Sequence, residues 1–226
     1  MMKYAVLLLL AASATVHGET YEELVERAFG SMEQDVHTNW AFTETRTNGE
    51  GTFLATFDPG RDEQWLLVSV DGREPTEKEL EEFQADKAQD RDSDEGRGEA
   101  NVAEDSLELV EETDDYFVCS FVPGDDEDED AAFMKFVQAT LTVMKDGPYV
   151  SEISMKNDGP IKPGKGVKIK KFKTRLEFAP AEAGGPALPQ KVEVEVKGRA
   201  MLVIGFDEKE SVEFSNYRRA VAAPSM

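Results

Sequence analysis

The chain has 226 residues, with 47 Asp and Glu against 25 Lys and Arg, a formal net charge of −22. So acidic a surface argues against nucleic acid and anionic membrane surfaces as partners, since both are held through lysine and arginine. Cys119 is the single cysteine, so the fold must hold without an internal disulfide.

Residues 1–18 read as a secretory signal peptide: Lys3 in a short basic start, the apolar run AVLLLLAA from Ala5, then small residues in SATVHGE. Cleavage after Gly18 and after Ala14 both fit. The apolar run is well short of the about 20 residues that a membrane span needs. The mature chain is therefore expected in the periplasm without a transmembrane segment. Its about 208 residues suit one domain, 19–226.

Thr20-Tyr21-Glu22-Glu23 is a capping box, and Leu24, Val25, Ala28, Phe29 and Met32 follow at helical spacing. This predicts a helix over 21–34 whose apolar stripe is buried on a sheet. From Val36 the period becomes two: Trp40, Phe42 and Glu44 alternate with Ala41, Thr43 and Thr45. TNGEG turns the chain into a strand of Phe53, Ala55 and Phe57, and DPG stops it. EQWLLVSV is a third strand, ended by Asp71-Gly72.

Thr76 and Glu79 make a second capping box. The acidic helix behind it has only Leu80 and Phe83 as large apolar residues, so it reads as a movable flap. With the polar stretch 90–101, expected to be a mobile loop, it forms an acidic excursion at about 76–102. Strands resume with SLELVEE and YFVCSFV, where Cys119 reads as a small buried hydrophobe. The acid run DDEDED at 125–130 follows, then AAFMKF as a helical turn. VQATLTV and YVSEISM flank KDGP, a hairpin signal. GVKIKKFKTRLEF is a long strand whose alternation slips at Lys170-Lys171, the mark of a β-bulge. QKVEVEVK, AMLVIGF and SVEFSNY close the series.

The predicted fold is mainly β (α+β): a single curled antiparallel sheet of about eleven strands, a half-barrel, with two helices on its concave side. That side is either filled by helix and side chains or left as an apolar cavity.

Catalytic machinery is not evident. His17 falls in the signal peptide, His37 has no nucleophile motif beside it, and no phosphate loop or His-Glu-x-x-His pair occurs. No enzyme, cofactor or metal site is predicted; DDEDED has oxygens for calcium but not the spacing of a calcium loop. The segment KPGKGVKIKKFKTR, residues 162–175, is the basic exception, with Lys168, Lys170, Lys171, Lys173 and Arg175 on a strand after Lys162 and Lys165. It reads as a protected strand edge or open face, balanced by the acid run or by residues 77–82. The other reading is a site for an acidic partner, such as a lipid headgroup or an acidic protein segment.

An amphipathic first helix, then NWAFTET, then antiparallel strands in this order resembles the LolA/LolB-like superfamily of outer-membrane lipoprotein carrier and sorting proteins. The ending LPQKVEVEVKGRAMLVIGFDEKESVEFSNYR is similar to that family's last three strands and their closing F-x-x-Y-R. FDPGRDEQWLLVSVDGREPTEKELEEF looks more like a subgroup of exported bacterial proteins. The resemblance implies a non-catalytic envelope protein that holds an acyl chain or lipoprotein-like amphiphile in an apolar cavity under helical lids. Phe42, Phe53, Phe57, Trp65, Phe117 and Ile204 are the candidates for its wall. The family's lid-tying arginine follows a Lys/Arg-Pro pattern, matched here in changed order by Pro59, Arg61 and Trp65, so Arg61 is the candidate lid contact. The alternative is a packed periplasmic interaction or sensor module that meets an envelope protein through the basic strand or the acidic flap.

Overall fold

The computed structural model describes residues 20–92, 106–123, 136–162, 166–201 and 204–220. Thr20 caps α1 (Tyr21–Gly30): its hydroxyl accepts the Glu23 N–H at 3.3 Å, and the Glu23 carboxylate accepts the Thr20 N–H at 2.9 Å. Leu24, Val25 and Ala28 share one side of the helix and are buried. The helix stops at Gly30, short of residue 34, because the next backbone groups serve a strand. The Ala187 N–H donates to the Ser31 carbonyl and the Glu33 N–H to the Ala187 carbonyl. A short third helix, α2 (Val36–Asn39), adds to the two expected.

Ten strands follow, with α3 (Glu77–Asp92) between the third and fourth. They are β1 (Trp40–Asn48), β2 (Gly51–Phe57), β3 (Trp65–Val70), β4 (Glu108–Glu112), β5 (Tyr116–Phe121), β6 (Val137–Met144), β7 (Tyr149–Asn157), β8 (Val167–Pro180), β9 (Ala187–Ala200) and β10 (Ile204–Arg219). One antiparallel sheet contains them all, in the order β3-β2-β1-β10-β9-β8-β7-β6-β5-β4. Sequential hairpins make every junction but one. The exception, β1 with β10, brings Trp40 opposite Arg219 and Thr47 opposite Ser211. The sheet is open, with β3 and β4 as its edges.

The count is ten and not eleven because AMLVIGF is no strand of its own: Ala200 ends β9, and Ile204 to Phe206 open β10, which runs on through SVEFSNY. Asp207 to Glu210 looks like a break in sequence, yet Asp207 stands opposite Lys197 and Lys209 opposite Glu195. Lys197 pairs with Asp207, and Lys209 reaches Glu195 at 3.7 Å, so the charges are matched across the ladder. The β8 bulge falls where the alternation slips, between Ile169 and Lys171. At the β1–β2 turn, Gly51 holds φ +145°, and a Cβ there would meet the Asp71 carboxylate at 2.8 Å. That carboxylate accepts the Thr52 N–H at 2.8 Å, so the glycine makes room for a bond that ties two turns together.

Residues directly opposite in an antiparallel ladder share a face. One row therefore crosses the whole sheet: Leu109, Cys119, Leu141, Ile153, Leu176, Val192, Val212, Arg46, Phe53 and Val70. At one end α1 lays Leu24, Val25 and Ala28 on Phe117, Cys119, Leu141 and Ile153. At the other end α3 reaches Glu44, two residues from Arg46 on the same side of β1. Both helices thus lie on one face. Burial pushes the Cys119 thiol up to about 11, as suits a packing residue. No helix among the described residues is long and apolar enough to cross a membrane.

Candidate functional site

The α3 end of this face is aromatic. Phe42 stacks on Phe57 at 5.1 Å between ring centres, and Trp65 lies 4.9 Å from Phe57 and 5.6 Å from Phe42. His37 abuts Phe57 edge-on at 5.0 Å, and Phe83 of α3 meets Trp65 at 6.3 Å. These rings fill the space between β1, β2, β3 and α3. Tyr217 closes the β10 side, its phenol donating to the Pro189 carbonyl at 2.6 Å.

Glu44 follows Phe42 on the same face and is buried, as is Lys87 of α3. The Lys87 Nζ donates to both Glu44 oxygens, at 3.0 and 3.2 Å, and lies 3.9 Å from the Trp65 ring centre. Arg46 approaches the same carboxylate at 3.7 Å and Glu210 at 4.0 Å. Gln84 donates to the Trp65 carbonyl at 3.1 Å. At the start of α3, Glu79 is gripped by Arg73 through two bonds, of 2.9 and 2.5 Å, and by the Thr76 N–H and hydroxyl. Arg73 first, then Thr76, hold the Glu79 carboxyl down at about 2. Of the two large apolar residues expected to give α3 its light grip, Phe83 meets Trp65 and Leu80 is exposed; polar bonds fasten the helix besides.

Between α1 and α3 the same face is apolar and half-buried. Leu176 stands opposite Val192, Phe172 opposite Val196, and Val194 lies between them on β9. Phe206 lies against Gly198: a Cβ at Gly198 would fall 2.4 Å from that ring and 2.6 Å from the Lys168 carbonyl. α1 packs on β6 and β7 and α3 on β3, so this strip of β8 and β9 lies between the two helices. Two shallow recesses lie elsewhere. One, of about 200 Å³, sits beside Phe42, Thr56, Arg61 and Arg218; the other, of about 390 Å³, beside Phe136, Asp158 and Ile161.

The six wall candidates share the helix-bearing face but fall in separate groups on it. Phe42, Phe57 and Trp65 pack on each other, Phe53 lies further along β2 opposite Arg46, Phe117 is in the α1 core, and Ile204 is 58% exposed at the start of β10. Arg61 pairs with Asp58 at 3.3 Å, and Arg218 donates to the same carboxylate at 2.8 Å. Among the described residues it is Lys87, Gln84 and Glu79 that fasten α3.

The basic strand is not an edge: β8 lies between β7 and β9. Two of its residues, Arg175 and Lys171, take their counter-charges from the sheet itself. Arg175 donates to Glu152 at 2.8 Å and lies 3.2 Å from Glu177, while Lys171 donates to Glu195 at 2.5 Å. These residues occupy the face opposite the helices. Lys168, Lys170 and Lys173 form no ion pair among the described residues, and Lys170 and Lys173 are exposed. Lys165, the acid run 125–130, most of AAFMKF and the stretch 93–105 lie outside the described residues.

No family model, curated protein or solved structure matches this chain. Sequence reasoning passed over Glu44, Lys87 and the Val192–Val194–Val196 strip. Glu44 carries a visible signal, a carboxylate in phase with Trp40 and Phe42, and a buried-face acid calls for a cation. The valines show the same alternation as any half-buried strand, so their exposure needed the helix positions.

Proposed function

We propose that this is a non-catalytic envelope protein that binds an acyl chain or comparable amphiphile on the helix-bearing face of its sheet, as the resemblance to the LolA/LolB-like superfamily implies. In this reading the chain is exported to the periplasm, the sheet curls as a half-barrel, and α1 and α3 flank the seat on its concave side. The observation that carries it is the half-buried strip of Phe172, Leu176, Val192, Val194, Val196 and Phe206 between two closed cores. Half-covered apolar side chains grouped in this way, with Thr174 among them opposite Val194, gain free energy from an apolar occupant, about 25 cal/mol per Å² covered. A tail lying along β8 and β9 would supply that cover.

The test is native mass spectrometry of protein purified from its own envelope without detergent, followed by solvent extraction. An added mass that resolves into acyl species supports the reading, and Val194→Asp is then expected to lose it while keeping the fold. A bare mass with nothing extracted rejects it. The bare result would favour an interaction module acting through the outer face of β8, where Lys168, Lys170 and Lys173 have no ion pairs among the described residues. Replacing all three by Glu would then abolish capture of an acidic protein partner.

A further inference from the structure

We infer that the amphiphile carries an ammonium group at its polar end, and that Glu208 and Glu210 of β10 receive it. This rests on the reading of the valine strip as the seat of the tail. The ladder puts Glu208 opposite Val196 and Glu210 opposite Val194. Val192, in the same phase of β9, stands opposite both Val212 and Leu176, and Leu176 packs against the α1 core. The two carboxylates are therefore on the helix-bearing face, each the next side chain to a valine of the strip, about 5 Å away across the ladder.

Their surroundings differ from those of the acids on the opposite face. There Asp207 pairs with Lys197, Glu195 with Lys171 and Lys209, and Glu213 with Lys191 at 3.2 Å. On the helix-bearing face Glu208 is exposed and forms no ion pair among the described residues. Among the described residues Glu210 has only Arg46, at 4.0 Å, and that guanidinium lies closer to Glu44, at 3.7 Å. Lys87, the other cation at this end, is committed to Glu44. An apolar strip bordered by two carboxylates with a deficit of cations is complementary to a tail joined to a positive head. It is repulsive to a carboxylate or phosphate head in the same place. The ligand class is thus an ammonium-bearing lipid, not a fatty acid or an anionic phospholipid.

The test compares dodecyltrimethylammonium, dodecyl maltoside and dodecanoate, each below its micelle concentration, by titration calorimetry at low salt. The cationic head is expected to bind roughly tenfold more tightly than the neutral one, with the difference largely screened away in high salt. Because the whole chain is acidic, the deciding comparison uses two double variants of equal charge change. Glu208→Gln/Glu210→Gln is expected to erase the preference, and Glu193→Gln/Glu213→Gln, on the opposite face, to keep it. A preference that survives both variants is a bulk charge effect and overturns the inference. Equal binding of the three heads also overturns it while leaving the amphiphile seat standing. Stoichiometric binding of none rejects the seat and the inference together.

Discussion

The Lys87 ammonium sits 3.0 Å from the Glu44 carboxylate and 3.9 Å from the centre of the Trp65 ring, joining residues 43 positions apart in the chain. Both charges are buried, so neither can be removed without stranding the other. Glu44→Leu and Lys87→Met are each expected to cost about 3–5 kcal/mol, and the two together much less than the sum. Urea denaturation of the four proteins measures this coupling directly. If α3 detaches while the sheet survives, the loss shows instead as faster amide exchange across Glu77–Asp92 with an unchanged unfolding midpoint. Additive single effects without faster exchange would show that the pair does not hold the helix.

Acid should loosen the same helix from its other end. The folded Glu79 carboxyl is held at about 2, below its ordinary 4.5, by Arg73 and Thr76. A depressed carboxylate stabilises the fold above its unfolded value, and that contribution fades as pH falls from about 4.5 towards 2. In wild type, amide signals at the start of α3 should therefore shift or broaden across this window. Glu79→Gln should show a flat response there and a looser helix start at neutral pH.

Gly198 is predicted to tolerate no side chain. A methyl group would enter the Phe206 ring and the Lys168 carbonyl, and backbone on the β8 side cannot move without opening the ladder. Gly198→Ala should lower stability by about 1–3 kcal/mol, a fall in Tm of roughly 2–12 °C. Adding Phe206→Ala should recover part of that loss, since only one of the two obstacles is a side chain. A Tm within a degree of wild type would mean that the strand yields there.

The charges of β8 are unequal in what they hold. Arg175 sits between Glu152 and Glu177, so Arg175→Glu gathers like charges on neighbouring strands. Lys170 is exposed at the bulge without an ion pair among the described residues, so Lys170→Glu should change stability by less than about 0.5 kcal/mol. Arg175→Glu is expected to cost on the order of 1 kcal/mol more. Equal effects of the two substitutions in thermal melts would contradict the assignment of counter-charges.

Local signals in this sequence translate well into structure. Thr20 with Glu23 and Thr76 with Glu79 specify helix starts because a cap is settled within four residues. The slip at Lys170 marks the bulge because side-chain alternation is counted along one strand. What fails is whatever depends on a distant neighbour. Asp207 to Glu210 reads as a break until Lys197 and Glu195 of β9 are placed opposite Asp207 and Lys209. Glu44 advertises a need for a cation and Lys87 follows Phe83 by one helical turn, but nothing local says that these two meet. The aromatic residues behave likewise: alternation identifies Phe42, Phe57 and Trp65 as facing inward, not whether they touch each other or a void.

The junction of β1 with β10 also sets a timetable. Thr47 meets Ser211 only after roughly 160 further residues have been made, which takes about 8–30 s at ordinary rates of synthesis. Throughout that interval the three-stranded piece has its β1 edge open as well as its β3 edge, with Phe42 on β1 itself. Such an edge accepts any strand offered to it. The nascent chain is thus a natural client for a holding chaperone, and refolding from denaturant should lose yield steeply as protein concentration rises.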